Sequence, residues 1–163
     1  MLCLKTGSRQ GRRGGRGRQV CHDALVPVAG FDHVAITVAD VDATLAWYQR
    51  VLGAEPLHLD LWRDGTLPIA LLQVGGSRLS VHPAAAPAAP HADVPMPGSA
   101  DLCFRFDGPV SEILALLDGA GVDVADGPVP RPASTGAMGT SVYFRDPDGN
   151  LLEMFADIPP RSE

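Results

Sequence analysis

Residues 141–156 read SVYFRDPDGNLLEMFA and decide the fold of this chain. Two apolar runs with aromatic and β-branched members flank the turn-forming segment DPDGN, so the stretch predicts a β-hairpin. Side chains alternate between the two faces of a strand, which places Glu153 on one face with Leu151 and Phe155. Burying an unpaired carboxylate among hydrophobic side chains costs several kcal/mol. Glu153 is therefore expected to have a cation, hydrogen-bond donors or a metal ion as its partner.

The two parts of the chain differ in charge. Residues 1–29 contain six basic residues and one acidic residue, whereas the remainder contains seven basic and 18 acidic residues. The Gly- and Arg-rich start lacks hydrophobic periodicity and is expected to be a disordered basic extension, with a transit peptide or a nucleic-acid tail as alternatives. The acidic remainder argues against nucleic acid as a partner of the folded domain.

The composition also bears on the cellular compartment. Cys3, Cys21 and Cys103 show no CxxC spacing, which favours reduced thiols. No apolar run approaches the roughly 20 residues of a membrane span. The apolar core of a secretory signal, about 7 to 15 residues, is missing as well. We therefore expect a cytoplasmic protein with no membrane partner.

The folded part divides into two similar halves of strands and helices. The first half predicts a strand at 31–38, a helix at 41–52 capped by Asp40 or Asp42 and ended by Gly53, and strands at 55–62, 67–74 and 78–82. The second half predicts a strand at 99–106, a helix at 109–120, and strands at 122–125, 140–145 and 150–156.

The halves superpose at an offset of 68 residues, which aligns His33 with Asp101. A repeat too small to cover its own sheet must pair with its copy. We therefore predict one α+β domain, 30–157, of two βαβββ modules whose curved mixed sheets form a shared cleft. The modules span 30–82 and 98–157, a Pro- and Ala-rich linker spans 83–97, and 158–163 is a tail.

The opening and closing strands of the modules carry two imidazoles and two carboxylates at inward positions: His33, His82, Asp101 and Glu153. Such a set suits one divalent ion (Fe, Mn, Ni, Co or Zn) and leaves two coordination positions for water or substrate. His33, His82 and Glu153 alone would form a facial triad. Each residue also has a structural alternative, such as a strand-end histidine or a turn-capping aspartate.

The same alternation names candidate substrate-binding residues in the cleft: Thr37, Arg78, Cys103, Arg105 and Phe155. The guanidinium groups suit a carboxylate or a phosphate, although both arginines also fit solvated strand ends. Cys103 fits either a reactive thiol or a small buried hydrophobic residue.

Four segments resemble the vicinal oxygen chelate superfamily, which includes glyoxalase I, fosfomycin-resistance proteins, bleomycin-binding proteins and extradiol dioxygenases. They are FDHVAITVAD (31–40), WYQRVLG (47–53), LSVH (79–82) and YFRDPDGNLLE (143–153). Residues 97–104, PGSADLCF, are most similar to glyoxalase-domain-containing proteins of unassigned chemistry.

The resemblance implies metal ligands at His33, His82, Asp101 and Glu153, a small-molecule substrate and a homodimer. Two positions depart from glyoxalase I, which usually has a glutamate where His82 stands and a histidine where Asp101 stands. The implied function is a metal-dependent enzyme whose substrate chelates the ion, with lyase or isomerase chemistry favoured and Glu153 as the catalytic, proton-moving group. The alternatives are an extradiol ring-cleaving dioxygenase and a drug- or metabolite-binding protein of the bleomycin-resistance type. The sequence leaves open whether the cleft forms within one chain or between two.

Overall fold

The computed structural model describes residues 28–157. The predicted basic extension 1–29, apart from its last two residues, and the predicted tail 158–163 lie outside this range. Among the described residues, no helix combines the length and the apolar character needed to cross a membrane.

The first module is built of β1 (His33–Val38), α1 (Val41–Leu52), β2 (Glu55–Leu57), α2 (Leu59–Arg63), β3 (Ala70–Val74) and β4 (Ser77–Pro83). Its sheet has the order β1-β4-β3-β2, with β1 parallel to β4 and the other pairs antiparallel. Helix α1 begins as predicted after Asp40, whose side chain accepts a hydrogen bond from the Ala43 amide. It ends at Gly53, which has a left-handed conformation with φ 62°.

The second module is built of β5 (Asp101–Phe106), α3 (Val110–Gly119), β6 (Val124–Pro132), β7 (Met138–Arg145) and β8 (Leu151–Asp157). Its sheet order, β5-β8-β7-β6, repeats that of the first module, including the parallel pair. This topology confirms the predicted α+β fold of two mixed sheets.

One face of each sheet packs into the core. The opposite face, called the open face below, lies outside the core cluster, although His82, Ser141 and Phe155 on it are buried. Side chains of both modules form a single buried cluster, which includes Leu45 and Tyr48 of α1, Ile113 of α3, and Phe144 and Leu152 of the closing hairpin. The strand residues between the buried ones point to the opposite face. The residues predicted to line a cleft therefore lie on the open faces of the sheets.

The strand predicted over 55–62 is wrong beyond Leu57. His58 adopts a left-handed conformation with φ 51°, and the chain then turns into the short helix α2. A residue in this conformation interrupts an extended strand. The apolar run in this part of the sequence therefore belongs to a helix rather than to the sheet.

Strand β6 is longer than predicted, since it continues beyond Ala125 to Pro132. Pro128, Pro130 and Pro132 interrupt the sequence pattern of a strand because proline has no amide hydrogen. β6 tolerates them because it is the edge strand of its sheet, and its pairing with β7 contains register shifts. Residues 84–100, which include most of the predicted linker 83–97, contain neither helix nor strand.

Candidate functional site

Glu153 lies in the middle of β8 on the open face of the second sheet. The hydroxyl of Ser141, on the neighbouring strand β7, donates a hydrogen bond to its Oε1. Cys103 of β5 is the register partner of Glu153 on the other side. Glu153 is partly buried and Ser141 is fully buried, so this hydrogen bond is shielded from water. One of the partners expected for this carboxylate is therefore a hydroxyl donor.

Cys103 is held in its thiol form. Partial burial, followed by the charge and the hydrogen bond of the neighbouring Glu153 carboxylate, raises its pKa to about 12. A thiol is a hydrogen-bond donor, whereas a thiolate is the nucleophile. At neutral pH Cys103 thus acts as a donor toward Glu153 and not as a nucleophile.

His33 begins β1 on the open face of the first sheet, and its side chain is 45% exposed. Its Nδ1 lies 2.7 Å from Asp32 Oδ1, and an Arg78 nitrogen lies 2.8 Å from the same oxygen. The hydrogen bond from His33, followed by the charge of Arg78, lowers the pKa of Asp32. The same Nδ1 also lies 3.1 Å from the Arg78 nitrogen, so this edge of the ring contacts both a carboxylate and a guanidinium group. Carboxylates orient metal-binding imidazoles in the same way.

His82 lies near the end of β4 and is 9% exposed. It lines a cavity of about 270 Å³ together with Ala35 and Thr37 of β1 and several linker residues. Burial, followed by the charge of His91, lowers its pKa, so the ring is neutral at pH 7. Its Nδ1 is buried and has no hydrogen-bond partner among the described residues.

Asp101 opens β5 and is exposed on the same face as Cys103 and Arg105. It lines a second cavity, of about 280 Å³, between the edge strands β1 and β5. Its strand neighbour Leu151 is two residues before Glu153 on β8, so the two carboxylates are near each other on one open face. This proximity agrees with a shared role at the cleft.

The four predicted ligands all lie on open faces, but one chain does not bring them together. Among residues 28–157, no three or more His, Cys, Asp or Glu side chains are placed to hold one ion. The register pairs His33 with Arg78 but His82 with Thr37, four residues further along β1. At about 3.3 Å per residue, this separates the two positions by about 13 Å within a single sheet.

The predicted substrate-binding residues have identifiable neighbours. Arg78 forms an ion pair with Asp32, and Thr37 lines the cavity beside His82. The guanidinium of Arg105 lies 5.8 Å from the centre of the Phe155 ring, a cation–π contact on the open face. The Phe155 ring in turn packs on the backbone of Gly139, where no side chain would fit.

The family model described as Glyoxalase/Bleomycin resistance protein/Dioxygenase superfamily matches residues 30–154. The chain belongs to this superfamily. The virulence protein STM3117 of Salmonella typhimurium is 35% identical over 123 residues, 76% of this chain and 81% of that protein. The glyoxalase domain-containing protein RDO1 of Mycosarcoma maydis is 36% identical over 129 residues, 78% of this chain and 68% of that protein.

Solved structures of the superfamily share the fold. The crystal structure of STM3117 aligns with a TM-score of 0.72 and 33% identity, covering 80% of this chain and 98% of that chain. A mutant of the fosfomycin resistance protein FosX of Listeria monocytogenes, complexed with Mn(II) and 1S,2S-dihydroxypropylphosphonic acid, aligns with a TM-score of 0.58 and 21% identity, covering 81% and 95%. At 21% identity the second likeness concerns the fold alone.

In this superfamily member, the DPDGN turn is a structural junction as well as a hairpin. The buried Asp146 carboxylate accepts hydrogen bonds from the Tyr48 hydroxyl at 3.0 Å and from the Asn150 amide side chain at 2.8 Å. It also accepts bonds from the backbone amides of Asp148 and Asn150. Asp148 accepts bonds from the amide of Ala39 and the hydroxyl of Thr44, at the start of the first helix. The turn therefore fastens the closing hairpin to the first module.

Sequence reasoning missed Ser141, Tyr143 and Arg131 on the open face. Arg131 Nε donates a hydrogen bond of 3.2 Å to the Tyr143 hydroxyl, and its guanidinium lies 5.7 Å from the ring centre. Tyr143 is the register partner of Glu153 on β7. The signal was available, because alternation along 141–145 places Ser141 and Tyr143 on one face. Arg131 was not identified because the predicted strand ended at Ala125, before this residue.

Proposed function

We propose that this protein is a metal-dependent enzyme acting on a small oxygenated molecule, with lyase or isomerase chemistry of the glyoxalase type. The proposal rests mainly on the position of Glu153, whose carboxylate lies at the centre of an open sheet face. Ser141 occupies its Oε1, and the protonated Cys103 lies beside it. Such a carboxylate is positioned but retains acceptor capacity, as a metal ligand or a general base requires.

We infer that the metal is held by His33 together with Asp101 and Glu153. These residues fit a divalent ion chemically, since an imidazole and two carboxylates suit Mn²⁺, Fe²⁺, Co²⁺, Ni²⁺ or Zn²⁺. Nε2 of His33 and the second oxygen of Glu153 remain for the ion. His82, the fourth predicted ligand, lies about 13 Å from His33 along the same rigid sheet, so we assign it a separate role.

The proposed site forms between two copies of the chain. His33 lies on the first sheet, and both carboxylates lie on the second. Because three such groups do not meet within residues 28–157 of one chain, we propose a homodimer in which the first sheet of one copy faces the second sheet of the other. A two-fold arrangement of this kind would create two equivalent sites.

When bound, the ion would supply Lewis-acid stabilisation of negative charge on a substrate oxygen, worth several kcal/mol of barrier. Once its oxygen not bonded to Ser141 loosens from the ion, Glu153 would accept a proton from the substrate at that oxygen and return it to a neighbouring atom. Ser141 and Cys103 would hold this carboxylate in place. Arg131 would orient the Tyr143 hydroxyl beside the reacting group.

The proposal is tested by metal analysis and turnover of the protein purified without chelator. We expect bound divalent metal and turnover of a hemithioacetal, with Glu153→Gln lowering the metal content by one ion per subunit and abolishing turnover. The matched control is Glu55→Gln, an exposed glutamate at the start of β2. Equal metal content and turnover in the two variants would refute the role of Glu153.

One observation favours a second candidate, a metal-free binding protein of the bleomycin-resistance type. The potential ligands stay apart within the described part of a single chain. In that case, Glu153→Gln would leave the metal content unchanged, and added Mn²⁺ would change the melting temperatures of the wild type and of this variant equally. Loss of one stoichiometric ion in Glu153→Gln would exclude this candidate.

A further inference from the structure

The linker between the modules covers part of the open face of the first sheet. Pro90, His91, Ala92 and Pro95 of the linker lie over Ala35, Thr37 and His82, enclosing the cavity of about 270 Å³. Two of the residues that line this cavity are histidines, one from the sheet and one from the linker. The other lining residues, apart from Thr37, offer no polar side chain.

His82 has a ring nitrogen without a hydrogen-bond partner among the described residues. The residue is more than nine-tenths buried, and its Nδ1 has no hydrogen-bond partner between residues 28 and 157. A buried polar atom without a partner costs free energy, so native structures seldom leave one without a functional reason. Imidazole is among the commonest metal ligands in proteins.

His91 is oriented in a complementary way. Its Nδ1 lies 2.8 Å from the backbone oxygen of Ala92. A carbonyl oxygen only accepts hydrogen bonds, so Nδ1 carries the proton and Nε2 keeps the lone pair. Metal-binding histidines are usually fixed in this manner, with one ring nitrogen donating to a carbonyl or carboxylate. The two rings are also close enough for a charge on His91 to lower the pKa of His82.

We propose that His82 and His91 form a second metal site beneath the linker, separate from the site of His33, Asp101 and Glu153. Two imidazoles in an otherwise apolar cavity suit a transition-metal ion such as Zn²⁺, Cu²⁺ or Ni²⁺ rather than Mg²⁺ or Ca²⁺. Water completes the coordination shell. A bound ion would join the linker to β4 and hold it over the open face.

The test is calorimetric titration of the full chain with Zn²⁺. We expect His91→Ala and His82→Ala each to weaken one class of binding sites at least about tenfold, because each removes one of two protein ligands. His58→Ala is the matched control, since His58 is exposed and lies on the first module outside the cavity. His91 is exposed on a linker, so its replacement leaves the fold intact. Equal Zn²⁺ binding by His91→Ala and His58→Ala would overturn the proposal.

Nuclear magnetic resonance of [¹⁵N]histidine-labelled protein separates this site from the proposed catalytic site. Zn²⁺ should shift the ring nitrogens of His82 and His91 in the wild type and equally in a His33→Ala/Glu153→Gln double variant. If the double variant loses these shifts, the two histidines are not an independent site and the proposal fails. If the shifts persist while wild type and double variant show the same total Zn²⁺ stoichiometry, the second site stands and the catalytic ligand set fails.

Discussion

The carboxylates of the closing hairpin differ in how many hydrogen-bond donors surround them. Asp146 and Asp148, in the turn, accept hydrogen bonds from Tyr48, Asn150, Thr44 and backbone amides. Glu153, in the following strand, has Ser141 and Cys103 beside it on a face open to a ligand. The same short stretch therefore contains two acids that stabilise the fold and one acid that we propose as a metal ligand and proton acceptor. Hydrogen-bond satisfaction, more than residue type, distinguishes the two roles.

The largest expected effect on stability is that of Asp146→Ala. It would leave the buried Tyr48 hydroxyl and the Asn150 side chain without their acceptor, at a cost of about 3 kcal/mol or more. Urea unfolding measures this change, with the exposed Asp107→Ala as control. A loss of less than about 1 kcal/mol would show that the turn does not fasten the modules, and the contrast with Glu153 would disappear.

Gly139→Ala tests the open face itself. A Cβ at this position would collide with the Phe155 ring and lie 2.6 Å from the Ala156 backbone oxygen. We expect a loss of about 2 to 3 kcal/mol, because the ring must leave its position below Arg105. Gly119→Ala is the control, since a Cβ there meets no atom within 4 Å. Equal thermal stability of the two variants would mean that Phe155 is not fixed on this face.

Tyr48→Phe removes a single donor from the turn network. Asp146 would keep its three other donors, so the expected loss is smaller, about 1 to 2 kcal/mol. The measurement is again urea unfolding. A matched replacement, Tyr143→Phe on the open face, should change stability less, because that hydroxyl is partly exposed. The reverse order would contradict the division into a structural turn and a functional face.

The smallest effect concerns Cys103 and leaves stability nearly unchanged. With a pKa of about 12, the thiol is almost fully protonated at pH 8, and thiolate forms only as the pH rises toward that value. Alkylation by iodoacetamide at pH 8, followed by peptide mapping, should be more than about a hundredfold slower than in the urea-unfolded chain. Glu153→Gln should accelerate it, because the carboxylate that raises the pKa is gone. Unchanged alkylation in that variant would separate Cys103 from Glu153.

The sequence predicted what depends on local signals. Helix α1 has its predicted bounds, because Asp40 and Gly53 mark its ends independently of the rest of the fold. Alternation placed Glu153 and Asp101 on open faces, since one buried face suffices to fix the register of a strand. The left-handed His58 and the proline-rich edge strand were missed, as each departs from the usual local preference.

The spatial proximity of side chains from distant parts of the sequence was harder to predict. The repeat aligned His33 with Asp101, but it did not show that His82 lies four residues further along the first sheet. That separation depends on the register of β1 and β4, which no local motif specifies. That His82 and His91 line the same cavity depends on the path of a linker without periodicity, so this proximity could not be predicted from the sequence.

We propose that the open faces of two copies create the metal site. Mixing two inactive chains tests this arrangement most directly. His33→Ala and Glu153→Gln should each lose the bound ion as homodimers. In a co-refolded mixture, the hybrid dimer would contain one intact site, with His33 from one chain and Glu153 from the other. Random pairing predicts recovery of about one quarter of the wild-type metal at this site. No recovery above that of the separate variants would contradict a site shared between chains.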